Sequence, residues 1–193
     1  MQKRYIIGID EAGRGPLAGP VAVGTVKILK GRKPAVLRFA RDSKQISEKE
    51  RERIYCLMIE ALKKGEIDFY VSFSSAKYID KKGIVSAIQN ALHKNLKKLQ
   101  VQVIDEIFLD GSLKAPDIYK KQKTIIKGDS LVPIIGLASI AAKVLRDRYM
   151  KKISKKYPQY GLDIHKGYGT VLHRKAIKKH GFSAQHRKSF VLK

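Results

Sequence analysis

Residues 5–20 read YIIGIDEAGRGPLAGP, and this segment decides how the rest of the chain is interpreted. Its first residues are β-branched or aromatic and predict a strand over residues 4–10. Two adjacent acids, Asp10 and Glu11, close that apolar run, and an arginine between two glycines follows them. The glycines and Pro16 predict an irregular loop, so the segment brings two carboxylates to the start of a flexible backbone turn.

The remaining segments predict an α/β fold with a mixed central sheet flanked by helices. Further strands are predicted at 20–29, 68–75, 106–111 and 123–129. Helices are predicted after the capping box of Ser47 and Glu50, with a stop at Gly65, after Gly83, and from about 133 to 156. No repeat or linker stands out in the sequence. We therefore expect a single domain over 1–193, with a basic helical C-terminal extension over about 157–193.

The charge of the chain predicts a polyanionic partner. Among 193 residues, 41 are Lys or Arg and 17 are Asp or Glu, which gives a formal net charge of +24. Nucleic acid is the first expectation for such a surplus. No apolar run approaches the roughly 20 residues of a spanning helix, and the N-terminus lacks the pattern of a secretion signal. We expect a cytoplasmic monomer without a membrane partner.

The cysteine and histidine content predicts neither a disulfide nor a zinc site. The single cysteine, Cys56, falls in a helical pattern and is expected to be a buried, inert thiol. The histidines at 165, 173, 180 and 186 lack the paired cysteines or tight spacing of a zinc site. Surface positions or phosphate contacts are expected for them.

Four acids are candidates for a shared site. Asp10 with Glu11, Asp110 and Asp129 each end an apolar strand pattern. If the strands of Asp10 and Asp110 are parallel neighbours, both acids emerge at the same sheet edge, and Glu11 can join them only from within the turn. Carboxylates so close raise one another's pKa, and a hard divalent cation offsets their repulsion. Two such ions about 4 Å apart would serve phosphodiester hydrolysis.

Other interpretations of the same residues stay open at this point. An acid at a strand end is commonly a turn former or a helix cap, and Asp129 is placed to cap the helix after it. The basic charge is shared by ribosomal proteins and architectural DNA-binding proteins, which are not enzymes. A different two-metal nuclease, such as a junction resolvase, would also need clustered acids.

Several motifs in order resemble those of bacterial ribonuclease HII, the type 2 ribonuclease H, over essentially the whole chain. They are GIDEAGRGPLAGPV at 8–21, DSK at 42–44, FLDG at 108–111, KGDS at 127–130, ASIAAKVLRDR at 138–148, HKGYGT at 165–170 and HRKSF at 186–190. The resemblance implies a ribonuclease H-like fold. It also argues against the related type 3 enzymes, whose corresponding glycine loop lacks an arginine like Arg14.

The resemblance implies roles for particular residues. Asp10, Glu11, Asp110 and Asp129 match the family's catalytic, metal-binding carboxylates, which hold Mg²⁺ or Mn²⁺, two per active site with substrate. The substrate-binding positions that it implies are Gly13, Arg14, Gly15, Tyr168, Lys44, Ser139 and Lys143. The Gly-Arg-Gly segment would hold the junction phosphate and contact the ribose 2′-hydroxyl, Tyr168 would bond that hydroxyl and stack on the next deoxyribose, and the last three would lie near backbone phosphates.

The activity that the resemblance implies is that of a metal-dependent endoribonuclease. Such an enzyme hydrolyses the RNA strand of RNA/DNA hybrids and nicks duplex DNA on the 5′ side of an embedded ribonucleotide. The expected products carry 3′-hydroxyl and 5′-phosphate ends. The expected partners are therefore RNA/DNA hybrids and ribonucleotide-containing duplex DNA.

Overall fold

The computed structural model describes residues 3–40 and 46–190 and contains a five-stranded mixed sheet. Its strands are β1 (Tyr5–Ala12), β2 (Val21–Leu29), β3 (Asp68–Ser74), β4 (Glu106–Asp110) and β5 (Gln122–Ile125). The order across the sheet is β3-β2-β1-β4-β5. The first three strands pair antiparallel, whereas β4 runs parallel to both β1 and β5. This arrangement confirms the predicted mixed sheet.

Six α-helices surround the sheet within the described ranges, besides a 3-10 helix over Ala35–Phe39. They are α1 (Glu48–Lys63), α2 (Ala76–Lys98), α3 (Gly128–Leu131), α4 (Pro133–Ser154), α5 (Leu162–His165) and α6 (Val171–His180). The predicted cap of α1 is present, since Ser47 Oγ accepts a hydrogen bond from the backbone nitrogen of Glu50 at 3.1 Å. Gly65 follows α1 with a φ of +66°, as expected of a residue that ends a helix. The short α5 and α6 form the predicted basic C-terminal helical segment.

Helices cover both faces of the sheet, and the two-residue period of the strands assigns side chains to each face. Ile7 and Ile9 of β1 belong to the apolar cluster that includes α2. On the opposite face, α4 crosses β1 and β2 so closely that a Cβ at Gly8 or Gly24 would overlap the helix backbone. Small residues at these two positions therefore allow α4 to lie directly against β1, which carries Asp10, and against its neighbour β2.

One local prediction is confirmed in part and another was wrong. Gly83, with φ +79° and ψ 161°, is a break within α2, and the predicted helical segment follows it, but a further helical segment precedes it and begins at Ala76. Ser75 caps the earlier segment by accepting from the backbone nitrogen of Tyr78 at 3.2 Å. Cys56 is exposed, not buried, because Ile54 and Met58 turn toward the core and place the residue between them on the outer face of α1.

No helix in the described ranges is both long and apolar enough to cross a membrane. The longest buried helix, α4, owes its apolar face to contact with the sheet and carries Lys151 and Lys152 in its last turn. Its buried residues are therefore explained by the core of the domain fold.

Candidate active site

The C-terminal ends of β1 and β4 place two of the predicted acids side by side. The strands are parallel neighbours, with Ile9 of β1 opposite Leu109 of β4. Asp10 and Asp110 are the next residues on each strand. Side chains two residues apart on a strand point to the same face. Gly8 contacts α4, and Phe108 packs in the apolar cluster that contains α4. Asp10 and Asp110 therefore both point to the face that α4 covers. The structure thus confirms the parallel pairing on which the acidic edge depends.

Asp10 lies at the bottom of this edge and is almost fully buried. Its Oδ1 accepts a hydrogen bond from the backbone nitrogen of Glu11 at 2.7 Å, and the Ser139 side chain of α4 also hydrogen-bonds to the carboxylate. Its Oδ2 is buried and has no hydrogen-bond partner within the described residues. Burial, followed by the charges of Glu11 and Asp110, raises the pKa of Asp10 well above its ordinary value. A buried anionic oxygen without a donor is a favourable ligand for a cation.

Glu11 was expected in the turn, and this prediction was wrong. It is part of β1 and pairs with Val23, while the strand continues to Ala12. The pKa of Glu11 is raised, mainly by burial. The nearby charge of Arg14 lowers this pKa, and the charge of Asp110 raises it, so Glu11 and Asp110 are close enough to interact. Adjacent side chains of a strand alternate in direction, but the charge of Glu11 still raises the pKa of Asp10, so the two carboxylates interact.

Asp110 and Asp129 meet through the backbone that begins α3. Asp110 Oδ1 accepts hydrogen bonds from the backbone nitrogens of Gly128 at 2.6 Å and Asp129 at 3.3 Å. Asp129 does not end a strand, because β5 stops at Ile125, and it does not cap α4, which begins after Val132. Lys127 has a left-handed conformation, with φ +55°, just before α3, where the backbone of Asp129 contacts Asp110.

Two backbone contacts therefore connect the four acids: Asp10 accepts from the Glu11 nitrogen, and Asp110 accepts from the Asp129 nitrogen. Within residues 3–40 and 46–190, no three His, Cys, Asp or Glu side chains are close enough as they stand to share one metal ion. One reason is that Asp110 Oδ1 faces backbone N–H groups. The donor set nevertheless fits a divalent cation such as Mg²⁺, since it consists of carboxylate oxygens with an unpartnered buried oxygen and raised pKa values.

The glycine-rich loop follows the acidic edge. Gly13 has a φ of +90°, and a Cβ there would overlap the guanidinium of Arg146, so glycine is required on two grounds. The Arg14 side chain is about half exposed, and its Nη1 lies 3.5 Å from Glu11 Oε1. A Cβ at Gly15 would meet nothing within 4 Å, so this residue faces open space. The structure brings the predicted Gly-Arg-Gly segment next to the acids.

Tyr168 lies on a second loop that packs against the first. The carbonyl of Gly167 accepts hydrogen bonds from the backbone nitrogens of Leu17 at 2.8 Å and Ala18 at 3.3 Å. The Tyr168 ring is 44% exposed, and the guanidinium carbon of Arg146 lies 6.0 Å from its centroid. An exposed aromatic ring held beside the glycine-rich loop is positioned for contact with a bound molecule.

The other three predicted substrate contacts have different outcomes. Ser139 is buried and hydrogen-bonds to Asp10, so it supports the acidic edge from behind. Lys143 lies one helical turn further along α4, but its ammonium pairs with Asp147 Oδ1 at 2.9 Å rather than with the four acids. Burial lowers the pKa of Lys143. Lys44 lies outside the described residues.

Three of the four histidines are buried rather than on the surface. His173 Nε2 lies 3.1 Å from His186 Nε2, and the His165 ring stacks on His173 at a centroid distance of 4.3 Å. Burial lowers the pKa of all three, that of His186 to about 4. His173 Nδ1 also bonds the carbonyl of Tyr168 at 2.9 Å, so the cluster supports the loop of the exposed tyrosine.

The sequence also gave no indication of two fully buried arginines, Arg146 and Arg187, which lie behind the glycine-rich loop. Both occur in quoted motifs, but arginine is mostly a surface residue, and nothing local in the sequence marks either one as buried. The partners that hold them are backbone carbonyls of distant residues, which a sequence pattern does not reveal.

The sheet order and the acidic edge define the class of protein as a ribonuclease H-like hydrolase. The family model described as Ribonuclease HII matches residues 7–193, and the chain belongs to that family. Ribonuclease HII of Ruminiclostridium cellulolyticum is 44% identical over 97% of this chain and 70% of its own length. Family members are type 2 ribonucleases H that act on RNA/DNA hybrids and depend on divalent metal ions.

Solved structures agree with this fold. The ribonuclease HII of Archaeoglobus fulgidus, solved in complex with PCNA, superposes with a TM-score of 0.78 at 22% identity, covering 98% of this chain and 96% of that one. Bst-RNase HIII in complex with Mn²⁺ gives a TM-score of 0.70 at 17% identity, covering 97% of this chain and 67% of that one. At these identities the likeness concerns the fold.

Proposed function

We propose that this protein is an endonuclease that cuts next to ribonucleotides paired with DNA. It hydrolyses the RNA strand of RNA/DNA hybrids and nicks duplex DNA on the 5′ side of a single embedded ribonucleotide. The products carry 3′-hydroxyl and 5′-phosphate ends. It acts as a single-domain cytoplasmic monomer. The observation that carries the proposal is the unpartnered, buried Oδ2 of Asp10 among further acids, at a sheet edge beside a glycine-rich loop.

The four acids are the proposed ligands of two Mg²⁺ or Mn²⁺ ions. Asp10 with Glu11, and Asp110 with Asp129, would hold them, and Ser139 orients Asp10 by its hydrogen bond. Bound divalent ions supply an activated water and stabilise the leaving oxygen. The raised pKa values of Asp10 and Glu11 support this assignment, because a bound cation would offset the burial that disfavours both anions.

The glycine-rich loop and Tyr168 are proposed to recognise the ribonucleotide. Gly13 and Gly15 carry no side chain, so the loop backbone can approach the sugar closely, and the 2′-hydroxyl is the group that distinguishes RNA from DNA. Arg14, with its half-exposed guanidinium, contacts the junction phosphate. The exposed Tyr168 ring stacks on the following deoxyribose. A ribose there would add a hydroxyl against the ring, which favours an RNA–DNA junction.

The basic surface is proposed to hold the duplex through its phosphates. The net charge of +24 includes a C-terminal segment, from His165 to Lys193, that contains no acid. Such contacts are independent of base sequence and weaken with salt, with a log–log slope of about −0.9 per phosphate neutralised. Lys44 and Lys143 are also proposed to contact phosphates. To do so, the Lys143 ammonium must leave its ion pair with Asp147.

A cleavage experiment with three substrates tests the proposal. The protein is mixed with Mg²⁺ and a labelled duplex containing one ribonucleotide, the same duplex without it, or an all-DNA four-way junction. We expect cutting of the first substrate alone. Binding without cutting of any substrate would identify a nucleic-acid-binding protein, and cutting of the junction without need of a 2′-hydroxyl would identify a different two-metal nuclease.

A further inference from the structure

Two arginines are buried behind the glycine-rich loop. Arg146 of α4 and Arg187 near the C-terminus are 0% and 1% exposed. In the part of the chain that the structure describes, neither guanidinium forms an ion pair, and each hydrogen bond that they donate goes to a backbone carbonyl. Each also lies over an aromatic ring, Arg146 over Tyr168 and Arg187 over Phe190. Burial lowers the pKa of both groups. Because burial of an unpaired charge costs free energy, we expect both arginines to have a specific structural or functional role.

Arg187 binds the loop at three points through its planar fork of donors. Its Nη2 donates to the carbonyl of Gly13 at 2.7 Å, and its Nη1 to the carbonyl of Arg14 at 2.9 Å. Its Nε donates to the carbonyl of Gly19 at 2.9 Å. One side chain thus fixes two consecutive peptide groups at the start of the loop and a third near its end.

Arg146 completes the support from the other side. Its Nε donates to the carbonyl of Pro20 at 2.9 Å and its Nη2 to that of Ala18 at 3.2 Å. Its guanidinium also occupies the space where a side chain at Gly13 would be, and lies beneath the Tyr168 ring. The same arginine therefore contacts both loops that are proposed to recognise the ribonucleotide.

The geometry of the peptide group determines the direction in which the N–H groups of Arg14 and Gly15 point. In a trans peptide the C=O of one residue and the N–H of the next point in opposite directions. With the carbonyls of Gly13 and Arg14 turned inward onto Arg187, the N–H groups of Arg14 and Gly15 point away from it, toward the exposed side of the loop. Neither N–H donates a hydrogen bond to any group in the described ranges. Successive outward N–H groups form a concave anion-binding surface.

We propose that Arg146 and Arg187 are positioning residues that fix the 13–20 loop so that the N–H groups of Arg14 and Gly15 face the sugar-phosphate backbone of the substrate. Selectivity for a ribonucleotide over a deoxynucleotide then depends on the guanidinium fork of Arg187. This inference rests on the proposed function. Lysine keeps the positive charge but cannot reproduce three donors in a fixed plane, so Arg187→Lys separates geometry from charge.

The test compares affinities rather than activity. Dissociation constants are measured by fluorescence anisotropy in EDTA buffer for two duplexes that differ only in one ribonucleotide. We expect Arg187→Lys to lower the wild-type affinity ratio about tenfold, the equivalent of one lost hydrogen bond, with the affinity for all-DNA duplex unchanged. The matched control is Arg148→Lys, which alters an arginine of α4 that pairs with Glu52 on the protein surface and should leave the ratio unchanged.

The possible outcomes distinguish failure of the positioning role from failure of the proposed function. An unchanged ratio in a folded Arg187→Lys variant overturns the positioning role. A ratio of one in the wild type contradicts the 2′-hydroxyl recognition of the proposed function itself. If the variant does not fold, amide exchange in the ¹⁵N-labelled wild-type protein gives the answer. The Arg14 and Gly15 amides should exchange more slowly with the ribonucleotide duplex than with all-DNA duplex, and equal rates would reject the inference.

Discussion

Asp110 accepts a hydrogen bond on Oδ1 from the backbone nitrogen of Gly128, at 2.6 Å. This contact joins the end of β4 to the start of α3 and brings the backbone of Asp129 next to Asp110. The four acids thus come from two neighbouring strands and a short helix. The acidic edge is therefore a tertiary feature, and its proposed function can be tested residue by residue.

Asp10→Asn should abolish cleavage and stabilise the metal-free protein. Asparagine keeps an acceptor for the Glu11 N–H but removes the anion, so single-turnover cleavage should fall about a thousandfold or more. The pKa of Asp10 is raised in the folded state, so at neutral pH its charge opposes folding, and its removal should raise the Tm in EDTA by about 2–4 °C. Calorimetry and a cleavage time course measure the two effects.

The matched control for this experiment is Asp117→Asn, which removes a carboxylate from an exposed loop position. It should change neither the rate nor the Tm. Mg²⁺ should raise the Tm of the wild type more than that of Asp10→Asn, because a ligand that binds only the folded state stabilises it. Turnover by Asp10→Asn within tenfold of wild type would remove Asp10 from the catalytic group.

Gly13→Ala should destabilise the fold, whereas Gly15→Ala should not. Alanine at position 13 would be held at φ +90° with its Cβ against the Arg146 guanidinium. The expected loss in unfolding free energy is about 2 kcal/mol or more. Position 15 offers open space, so its alanine variant should unfold in urea like the wild type. Equal stability of the two variants would contradict the tight packing of the loop on Arg146.

Tyr168→Ala should affect a single embedded ribonucleotide more than a long RNA/DNA hybrid. The long hybrid offers many cleavage sites, whereas the single ribonucleotide offers only one junction at which the ring stacks. Loss of one stacking contact predicts a rate about tenfold lower on the first substrate. Tyr168→Phe retains the ring and is the matched control for the loss of stacking. Equal losses on both substrates would reject the recognition of the junction by Tyr168.

The buried histidines predict lower stability in mild acid. Burial lowers the pKa of His186 from 6.5 to about 4, so the unfolded chain takes up a proton in this interval while the folded protein does not. The stability that the folded protein gains from keeping His186 neutral is complete above pH 6.5 and is lost as the pH falls toward 4. His165 and His173, whose pKa values are lowered in the same direction, add to the effect.

Urea unfolding at pH 7 and pH 5 measures this dependence. The loss of unfolding free energy between these pH values should be about 1–2 kcal/mol smaller in His186→Asn than in the wild type. Asparagine can still accept from the backbone nitrogen of Ser183, which His186 Nδ1 does at 2.9 Å. His93→Gln, at an exposed position of α2, should keep the wild-type dependence. The same loss in all three proteins would contradict the prediction.

The first two strands could be predicted because their signals are local. Alternating apolar residues and glycine-rich turns define β1 and β2, and their predicted and observed bounds differ by two residues or fewer. The sequence predicted a shared edge for Asp10 and Asp110 on the condition that their strands are parallel neighbours, and the structure meets that condition. The cap formed by Ser47 was equally local, since its partner is three residues away.

The features that escaped prediction depend on distant partners. Arg187 is buried because carbonyls about 170 residues away replace the water around its guanidinium. His186 is buried because its ring meets that of His173. Glu11 stays in β1 because Val23 of the neighbouring strand continues the pairing beyond the apolar run. In each case the deciding contact is absent from the local pattern.

The most direct test of the account is a single-turnover assay on an end-labelled duplex with one ribonucleotide, with the Mg²⁺ concentration varied and the cut position mapped. The account predicts a nick on the 5′ side of the ribonucleotide, with a 3′-hydroxyl that a DNA polymerase can extend. The rate should rise with Mg²⁺ and vanish with EDTA. A strand that stays intact while the duplex remains bound, or an equal nick in all-DNA duplex, would contradict it.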